Sequence, residues 1–130
     1  MEATPSTRHD VGTRPGRPGP VKEGLVAWIL LFVAGVLEIV WAFTLKLSHG
    51  FSRPGASIVT LVSMLASFAL LSASMRTLPL GTAYAVWTGV GAVGAFVVGT
   101  VVLGESLTAG RVLAAALIVA GIMVMKASTP

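Results

Sequence analysis

Four long apolar stretches organise the chain and predict four helices that cross a membrane. They run over Leu25–Leu45, Ala56–Met75, Leu80–Leu103 and about Ala109–Met125. A helix needs about 20 apolar residues to span the hydrocarbon core of a bilayer, and three of the stretches are that long. The fourth is slightly shorter, but Arg111 and Lys126 near its ends can reach the interface with their long side chains. The connectors are short, and Pro54 and Pro79 stand where the second and third helices are expected to begin.

The residues before the first apolar stretch form a separate segment. Residues 1–24 are polar, rich in proline, glycine and arginine, and contain nothing to bury, so we expect a disordered tail. A signal peptide is the competing interpretation, but Glu38 would then lie near the cleavage region and no A-x-A site follows. The predicted organisation is therefore a tail, a transmembrane domain over residues 25–126 and a short C-terminal tail over residues 127–130.

Composition favours a membrane protein and argues against several other classes. Hydrophobic residues make up 55% of the chain and charged residues 11%, whereas soluble domains carry charge at about a quarter of their positions. Much of the basic charge lies in the tail, so the net charge of +4 does not predict a nucleic-acid surface. There is no cysteine, and His9 and His49 lack the spacing of metal ligands. Because no nucleophile–base pair or cofactor motif is present either, we expect no enzyme, cofactor or metal site.

A single glutamate, Glu38, stands inside the first apolar stretch, in "AGVLEIVWAF". A charge near the centre of a membrane helix costs about 2.5–3.5 kcal/mol on insertion scales, so an acid there predicts a functional site. The alternative is a structural Glu38, protonated and hydrogen-bonded to another helix. Small and aromatic residues share its helical face: Ala34, Gly35, Trp41 and Ala42. Trp41 and Trp87 can offer aromatic faces to a cation. A buried carboxyl group that holds either a proton or a cation has the chemistry of an antiporter.

The other stretches carry polar and small residues at helical spacing. A hydroxyl stripe follows one face of the second: Thr60, Ser63, Ser67 and Ser74. Such hydroxyls can simply bridge helices. The third contains Gly89, Gly91 and Gly94 in G-x-G-x-x-G spacing, but no strand precedes them, so we interpret them as packing or bending positions rather than a dinucleotide-binding loop. On the fourth, Ala114 and Gly121 share one face and predict a close-packing seam.

Basic residues outside the tail are nearly balanced between the two sides of the membrane. Two lie on one side, Arg76 and Lys126, and three on the other, Lys46, Arg53 and Arg111. Under the positive-inside rule this balance predicts insertion in both orientations. Two opposite copies would supply the inverted repeat that many transporters use and that one chain lacks. Four basic residues of the tail would make the count six against three and favour one orientation: Arg8, Arg14, Arg17 and Lys22.

Several segments together resemble the small multidrug resistance transporters. They are "AGVLEIVWAFTLKLSHGF", "ASFALL", "LPLGTAYAVWTGVGAVG", "GES" and "LIVAG". The resemblance extends from about Ala27 to Lys126. Trp41, the segment "LPLGTAYAVWTG" and Lys126 make the chain more similar to the guanidinium exporter subgroup than to exporters of bulky aromatic drugs.

The resemblance implies an all-α membrane protein with four transmembrane helices, assembled as an antiparallel homodimer in the inner membrane, that exchanges protons for guanidinium. Matching positions imply a substrate- and proton-binding site made of Glu38 as the carboxylate, Trp41 and Trp87 as walls, Ser67 as a hydrogen-bond donor to the carboxylate and Tyr84 as a coupling residue. They also imply a bend of the third helix at Gly89 and Gly91, and a dimer seam at Gly121, with Ala114 in place of the family's other glycine.

The start of the chain departs from this subgroup. Its members usually begin with Met-Ala-Trp, and the corresponding residues here are Val26, Ala27 and Trp28. One hypothesis is that translation begins at Val26 from an alternative start codon.

Two other functions are compatible with the sequence. One is export of quaternary ammonium or other hydrophobic cationic drugs, which would move bulky cations and not guanidinium. The other is a non-transporting membrane subunit, an adaptor or half of a heterodimer, which would give no proton-coupled flux alone.

Overall fold

The computed structural model describes residues 20–129, which form four α-helices. They are α1 (Pro20–Leu47), α2 (Pro54–Ser74), α3 (Leu80–Val101) and α4 (Ala109–Ser128). Each is long and apolar enough to cross a membrane. The four predicted spans are therefore confirmed as helices that are able to cross a membrane, in number, order and approximate position.

The helix ends differ from the predicted ones at both termini of the domain. Helix α1 begins at Pro20, earlier than the predicted Leu25, so residues 20–24 are helical rather than part of a disordered tail. Proline suits the first turn of a helix because its missing N–H would have had no helical partner there. Helix α4 continues to Ser128, into the predicted C-terminal tail. The predictions for residues 1–19, including their disorder, lie outside the described residues.

Helix α1 lies at the centre of the packing, in contact with α2 on one side and α3 on another. The buried apolar core joins these three helices and the connector after α2: Ala27, Leu31, Ala34, Leu71, Leu78, Ala83, Val86 and Trp87. Within the described residues the backbone of α4 lies close to α3 and to no other helix, and α4 has no buried residue. Most of the surface of α4 is therefore free to meet lipid or another protein.

The predicted hydroxyl stripe of α2 is buried and faces the other helices. Thr60 and Thr44 of α1 share a hydrogen bond of 2.8 Å between their hydroxyl oxygens. Ser67 bonds both α1 and α3. Ser74 instead donates to the carbonyl of Leu71 in its own helix, at 2.7 Å. Thr60 and Ser67 thus confirm that hydroxyls of this stripe bridge helices.

Candidate functional site

The carboxyl group of Glu38 lies in the groove between α1 and α3, directly against Gly91. A methyl group built on Gly91 would overlap that carboxyl group, so the missing side chain at position 91 is what makes room for it. The same seam continues along both helices. A Cβ on Gly35 would lie 2.6 Å from Val90 Cγ1, and one on Gly94 would overlap Ile39. Close approach of α1 and α3 therefore depends on glycines of both helices, one on α1 and two on α3.

Gly89 faces a different neighbour. A Cβ at this position would lie 2.7 Å from Ile122 Cδ1 and 3.3 Å from Ile118 Cγ2, both on α4. The G-x-G-x-x-G spacing thus places one glycine toward α4 and two toward α1, which confirms the packing interpretation. Helix α3 is continuous from Leu80 to Val101. The bend expected at Gly89 and Gly91 stays a prediction.

Two polar atoms on the site face of α1 are buried without a hydrogen-bond partner. They are Glu38 Oε2 and Trp41 Nε1, one an acceptor and the other, three residues later, a donor. Buried polar groups are normally satisfied, because an unpaired one costs about 1–3 kcal/mol. No group within residues 20–129 provides the partner that a structural Glu38 would need at Oε2. This face of α1 therefore carries one buried acceptor and one buried donor that no other described residue satisfies.

Ser67 does not donate to the Glu38 carboxylate, contrary to what the resemblance implied. Its hydroxyl donates to the carbonyl of Ala34 at 2.7 Å and accepts from Trp87 Nε1 at 3.0 Å. Ala34 lies one turn before Glu38 on α1, and its carbonyl takes the single proton that the Ser67 hydroxyl can donate. Ser67 therefore ties α1, α2 and α3 together and fixes the orientation of the Trp87 ring.

Trp87 is the centre of an aromatic cluster beside this serine. Its ring centroid lies 5.6 Å from that of Tyr84 and 5.7 Å from that of Phe68, the latter edge-on. Trp87 is 7% exposed, whereas Tyr84 is 54% exposed. The structure thus brings two of the predicted site residues together and adds Phe68, which the sequence analysis did not single out.

The predicted dimer seam lies on the exposed surface of α4. Gly121 has open space around its Cα, and Ala114 is exposed. Lys126 at the end of the same helix lies over the ring of Trp28, with Nζ 5.3 Å from the centroid. Among residues 20–129, no three histidine, aspartate or glutamate side chains gather closely enough to hold a metal ion.

Comparison with known families decides which kind of membrane protein this is. The model of the Small Multidrug Resistance protein family matches residues 26–118. The chain belongs to the small multidrug resistance family. Its four helices are accordingly those of a multi-pass membrane protein.

Named relatives of this small multidrug resistance protein share more than half of their residues with it. A "Guanidinium exporter" of Citrobacter freundii is 57% identical over 104 residues, which are 80% of this chain and 99% of the relative. One from Salmonella typhimurium strain LT2 is 56% identical over 103 residues, 79% of this chain and 98% of the relative. One from Yersinia pseudotuberculosis is 57% identical over 101 residues, which are 78% of this chain and 97% of the relative.

A second polar cluster in this small multidrug resistance protein was missed by the sequence analysis. Glu105, in the connector before α4, accepts from Lys46 Nζ at 3.0 Å and from the Arg111 guanidinium at 3.2 Å. These hydrogen bonds, first from Lys46 and then from Arg111, lower the pKa of the Glu105 carboxyl group. Arg111 also donates to the carbonyl of Ser106 and lies over the Phe96 ring, 5.3 Å from its centroid.

The signal that could have revealed this cluster is weak. The sequence analysis places Lys46 and Arg111 on the same side of the membrane as two separate basic residues, and Glu105 enters it only within the segment "GES" of the resemblance. The structure shows that the end of α1 meets the α3–α4 connector. Opposite charges at those two places were visible in the sequence, but their contact was not.

Proposed function

We propose that the chain exports guanidinium and small guanidinyl cations in exchange for protons. It works in the inner membrane as an antiparallel homodimer, and Glu38 of both subunits binds substrate and protons in turn. The observation that carries this proposal is the Glu38 carboxyl group in the α1–α3 groove, with one buried oxygen that lacks a partner. The names and high identity of the relatives support the same substrate.

Guanidinium matches what this groove offers. It is planar and presents paired N–H donors, which a carboxylate meets with two parallel, charge-assisted hydrogen bonds. Trp41 lies one turn further along α1 and Trp87 lines the neighbouring aromatic cluster, so aromatic faces are available to a flat cation. A small carboxylate-lined groove favours such a cation over bulky hydrophobic drugs.

Exchange follows from the use of one carboxyl group for two ligands. A protonated Glu38 cannot pair with a cation, and a cation-bound Glu38 cannot hold its proton. By linkage, protons weaken substrate binding and substrate weakens proton binding to the same degree. Antiport results if the site can change its exposure from one side of the membrane to the other when it holds a proton or a cation, but not when it holds neither.

The exposed face of α4 is consistent with the proposal that a second copy of the chain packs there and completes the transporter. This face carries Gly121, around which there is open space for another helix. Small residues at helix surfaces allow close approach between membrane helices. The near balance of basic residues between the two sides is what two opposite orientations require.

The decisive experiment is guanidinium flux in proteoliposomes driven by a pH gradient alone. We expect the wild-type chain to accumulate guanidinium against its gradient and Glu38→Gln to lose this ability, because the amide keeps the shape but neither charge nor exchangeable proton. Glu23→Gln, a matched loss of a glutamate near the start of α1, serves as the control and should transport normally.

Three outcomes would contradict the proposal in different ways. Proton-driven guanidinium accumulation by Glu38→Gln would remove Glu38 from the mechanism. Flux of quaternary ammonium cations without guanidinium flux would show that the substrate is a bulkier cation and not guanidinium. Absence of any flux from the wild-type chain alone would favour a non-transporting or heterodimeric subunit.

A further inference from the structure

A cavity of about 350 Å³ lies between α1 and α3 and begins at Ala42, one helical turn beyond Glu38. Its walls follow both helices at steps of one turn: Ala42 and Lys46 on α1, Ala95 and Gly99 on α3. These positions follow Glu38 and Gly91 at four-residue spacing, which is about 6 Å of helix per step. The cavity ends at Glu105 and Arg111. A small cation leaving Glu38 in this direction meets Glu105 as the next carboxylate.

The backbone turn before Glu105 and the missing side chain of Gly99 position the Glu105 carboxylate at the end of this cavity. Gly104 has a φ of +68°, in the left-handed region that glycine adopts without strain. The turn lets the Glu105 amide donate to the carbonyl of Gly99 at 3.0 Å. A Cβ on Gly99 would lie 2.7 Å from Glu105 Oε2, so this glycine makes room for the carboxylate as Gly91 does for Glu38.

The group that is hydrogen-bonded to this carboxylate in the structure is itself a guanidinium, that of Arg111. Arg111 Nη2 lies 3.2 Å from Glu105 Oε2, and its Cζ lies 5.3 Å from the centroid of the Phe96 ring. A carboxylate in front and an aromatic face beside it are the two features that bind guanidinium groups in proteins. The side chains of Glu105 and Arg111 are 33% and 39% exposed, so a solute can reach the pair.

We propose that Glu105 and Phe96 form an outer guanidinium-binding site, occupied in the empty chain by Arg111, from which a free guanidinium ion displaces the arginine. The substrate class rests on the proposed function, whereas the site rests on the geometry of the connector. Partly exposed ion pairs contribute little to stability, so exchange of one guanidinium for another is easy. Lys46 remains on the second carboxylate oxygen during this exchange.

The outer site differs from Glu38 in its relation to protons. Hydrogen bonds from Lys46 and Arg111 lower the pKa of Glu105, so its carboxylate is ionised at neutral pH. Binding there requires no proton release. The site therefore concentrates substrate at one mouth of the groove without taking part in proton exchange.

The experiment uses the full-length chain in lipid nanodiscs with ¹³C-labelled glutamate carboxyl groups. Glu38→Gln serves as the background, so that the central carboxylate contributes no signal and binds no cation. The Glu105 resonance is assigned by its loss in Glu105→Gln. Guanidinium chloride is titrated at concentrations well below those that unfold proteins, with sodium chloride at equal concentration as the control for ionic strength. We expect a saturable shift with guanidinium and none with sodium.

The displacement of Arg111 is tested in the same background. Arg111→Ala should tighten guanidinium binding about two- to fivefold, the range expected when a partly exposed competing ion pair is removed. Arg111→Gln, which keeps the length of the side chain, should act in the same direction if the alanine variant folds poorly. Arg76→Ala, in the connector between α2 and α3, is the matched control and should leave the affinity unchanged.

Several results would overturn the outer site. They are a Glu105 resonance insensitive to guanidinium, an equal shift with sodium, or an affinity that Arg111 variants leave unchanged or weaken. None of these results bears on proton exchange at Glu38, because that carboxylate is absent from the variant measured. Conversely, failure of Glu38→Gln to abolish transport would leave the measured binding at Glu105 intact.

Discussion

The molecule contains two glutamates that share a design and differ in one respect. Glu38 and Glu105 each lie against a glycine whose absent side chain makes room for the carboxyl group, Gly91 in one case and Gly99 in the other. Glu105 has a cation on each oxygen, whereas Glu38 has a buried oxygen with no partner within the described residues.

This difference separates a carboxylate that is already paired from one that is available. At Glu105 the protein supplies its own cations, and solvent reaches them, so the charge is well tolerated. At Glu38 the surrounding helices supply neither cation nor hydrogen bond to the buried oxygen. A buried acceptor of this kind is stabilised by a proton or by a bound cation, and the alternation between the two is the exchange proposed above.

The largest expected effect is the pH dependence of substrate binding. Apparent guanidinium affinity should fall as the pH is lowered through the titration range of Glu38, by about tenfold per pH unit for each proton displaced. Isothermal titration calorimetry of the purified wild-type protein over a series of pH values measures this slope. A flat profile would mean that substrate and protons do not compete at Glu38.

A second expected effect concerns the room that Gly91 leaves. Gly91→Ala should displace the Glu38 carboxyl group and weaken guanidinium binding, with a penalty of about 1–3 kcal/mol, the usual range for overpacking a well-packed interior. Gly81→Ala is the matched control on the same helix, because nothing lies within 4 Å of a Cβ there. Binding assays on both variants give the comparison.

A companion variant sharpens this test. Glu38→Asp shortens the acid by one methylene group, so the pair Gly91→Ala with Glu38→Asp should bind better than additive losses predict. Additive losses would mean that Gly91 acts on the helix packing and not on the carboxyl group.

The four helices could be predicted from the sequence because the composition of each apolar stretch indicates by itself that the segment lies in lipid. A membrane span can be recognised from about 20 consecutive residues, and a charged residue such as Glu38 can be recognised inside that same segment. The early start of α1 was missed because "PVKEG" is polar, although proline favours a helix start. Local composition does not say how far a helix extends beyond the membrane.

Contacts between distant residues were the part that could not be predicted. Ser67 has one hydroxyl proton, and only the position of α1 determines whether it goes to the Ala34 carbonyl or to Glu38. The Lys46–Glu105–Arg111 cluster likewise depends on where the end of α1 meets the last connector. The bend of α3 and the dimer seam stay predictions.

A smaller effect is expected from the aromatic neighbour of Glu38. Trp41→Ala should weaken guanidinium binding by about 0.5–2 kcal/mol, the range for a cation–π contact, and should admit larger cations. Trp41→Phe keeps an aromatic face but removes the buried N–H donor, so it separates the two contributions. Unchanged affinity and selectivity in Trp41→Ala would place this ring outside the pocket.

The smallest effect is expected at the paired carboxylate. Lys46 is the main cause of the lowered pKa of Glu105, so Lys46→Ala should raise that pKa toward its ordinary value of 4.5, as a pH titration of the Glu105 carboxyl resonance would show. A carboxyl group with a lowered pKa in the folded state stabilises the protein above its ordinary pKa and loses this contribution as the pH falls through the lowered value. Wild type and Lys46→Ala should therefore differ slightly in unfolding midpoint at neutral pH and converge in acid. High salt should reduce the difference at neutral pH, because exposed charges are screened. A difference that grew in acid would show that Lys46 acts through packing and not through the Glu105 charge.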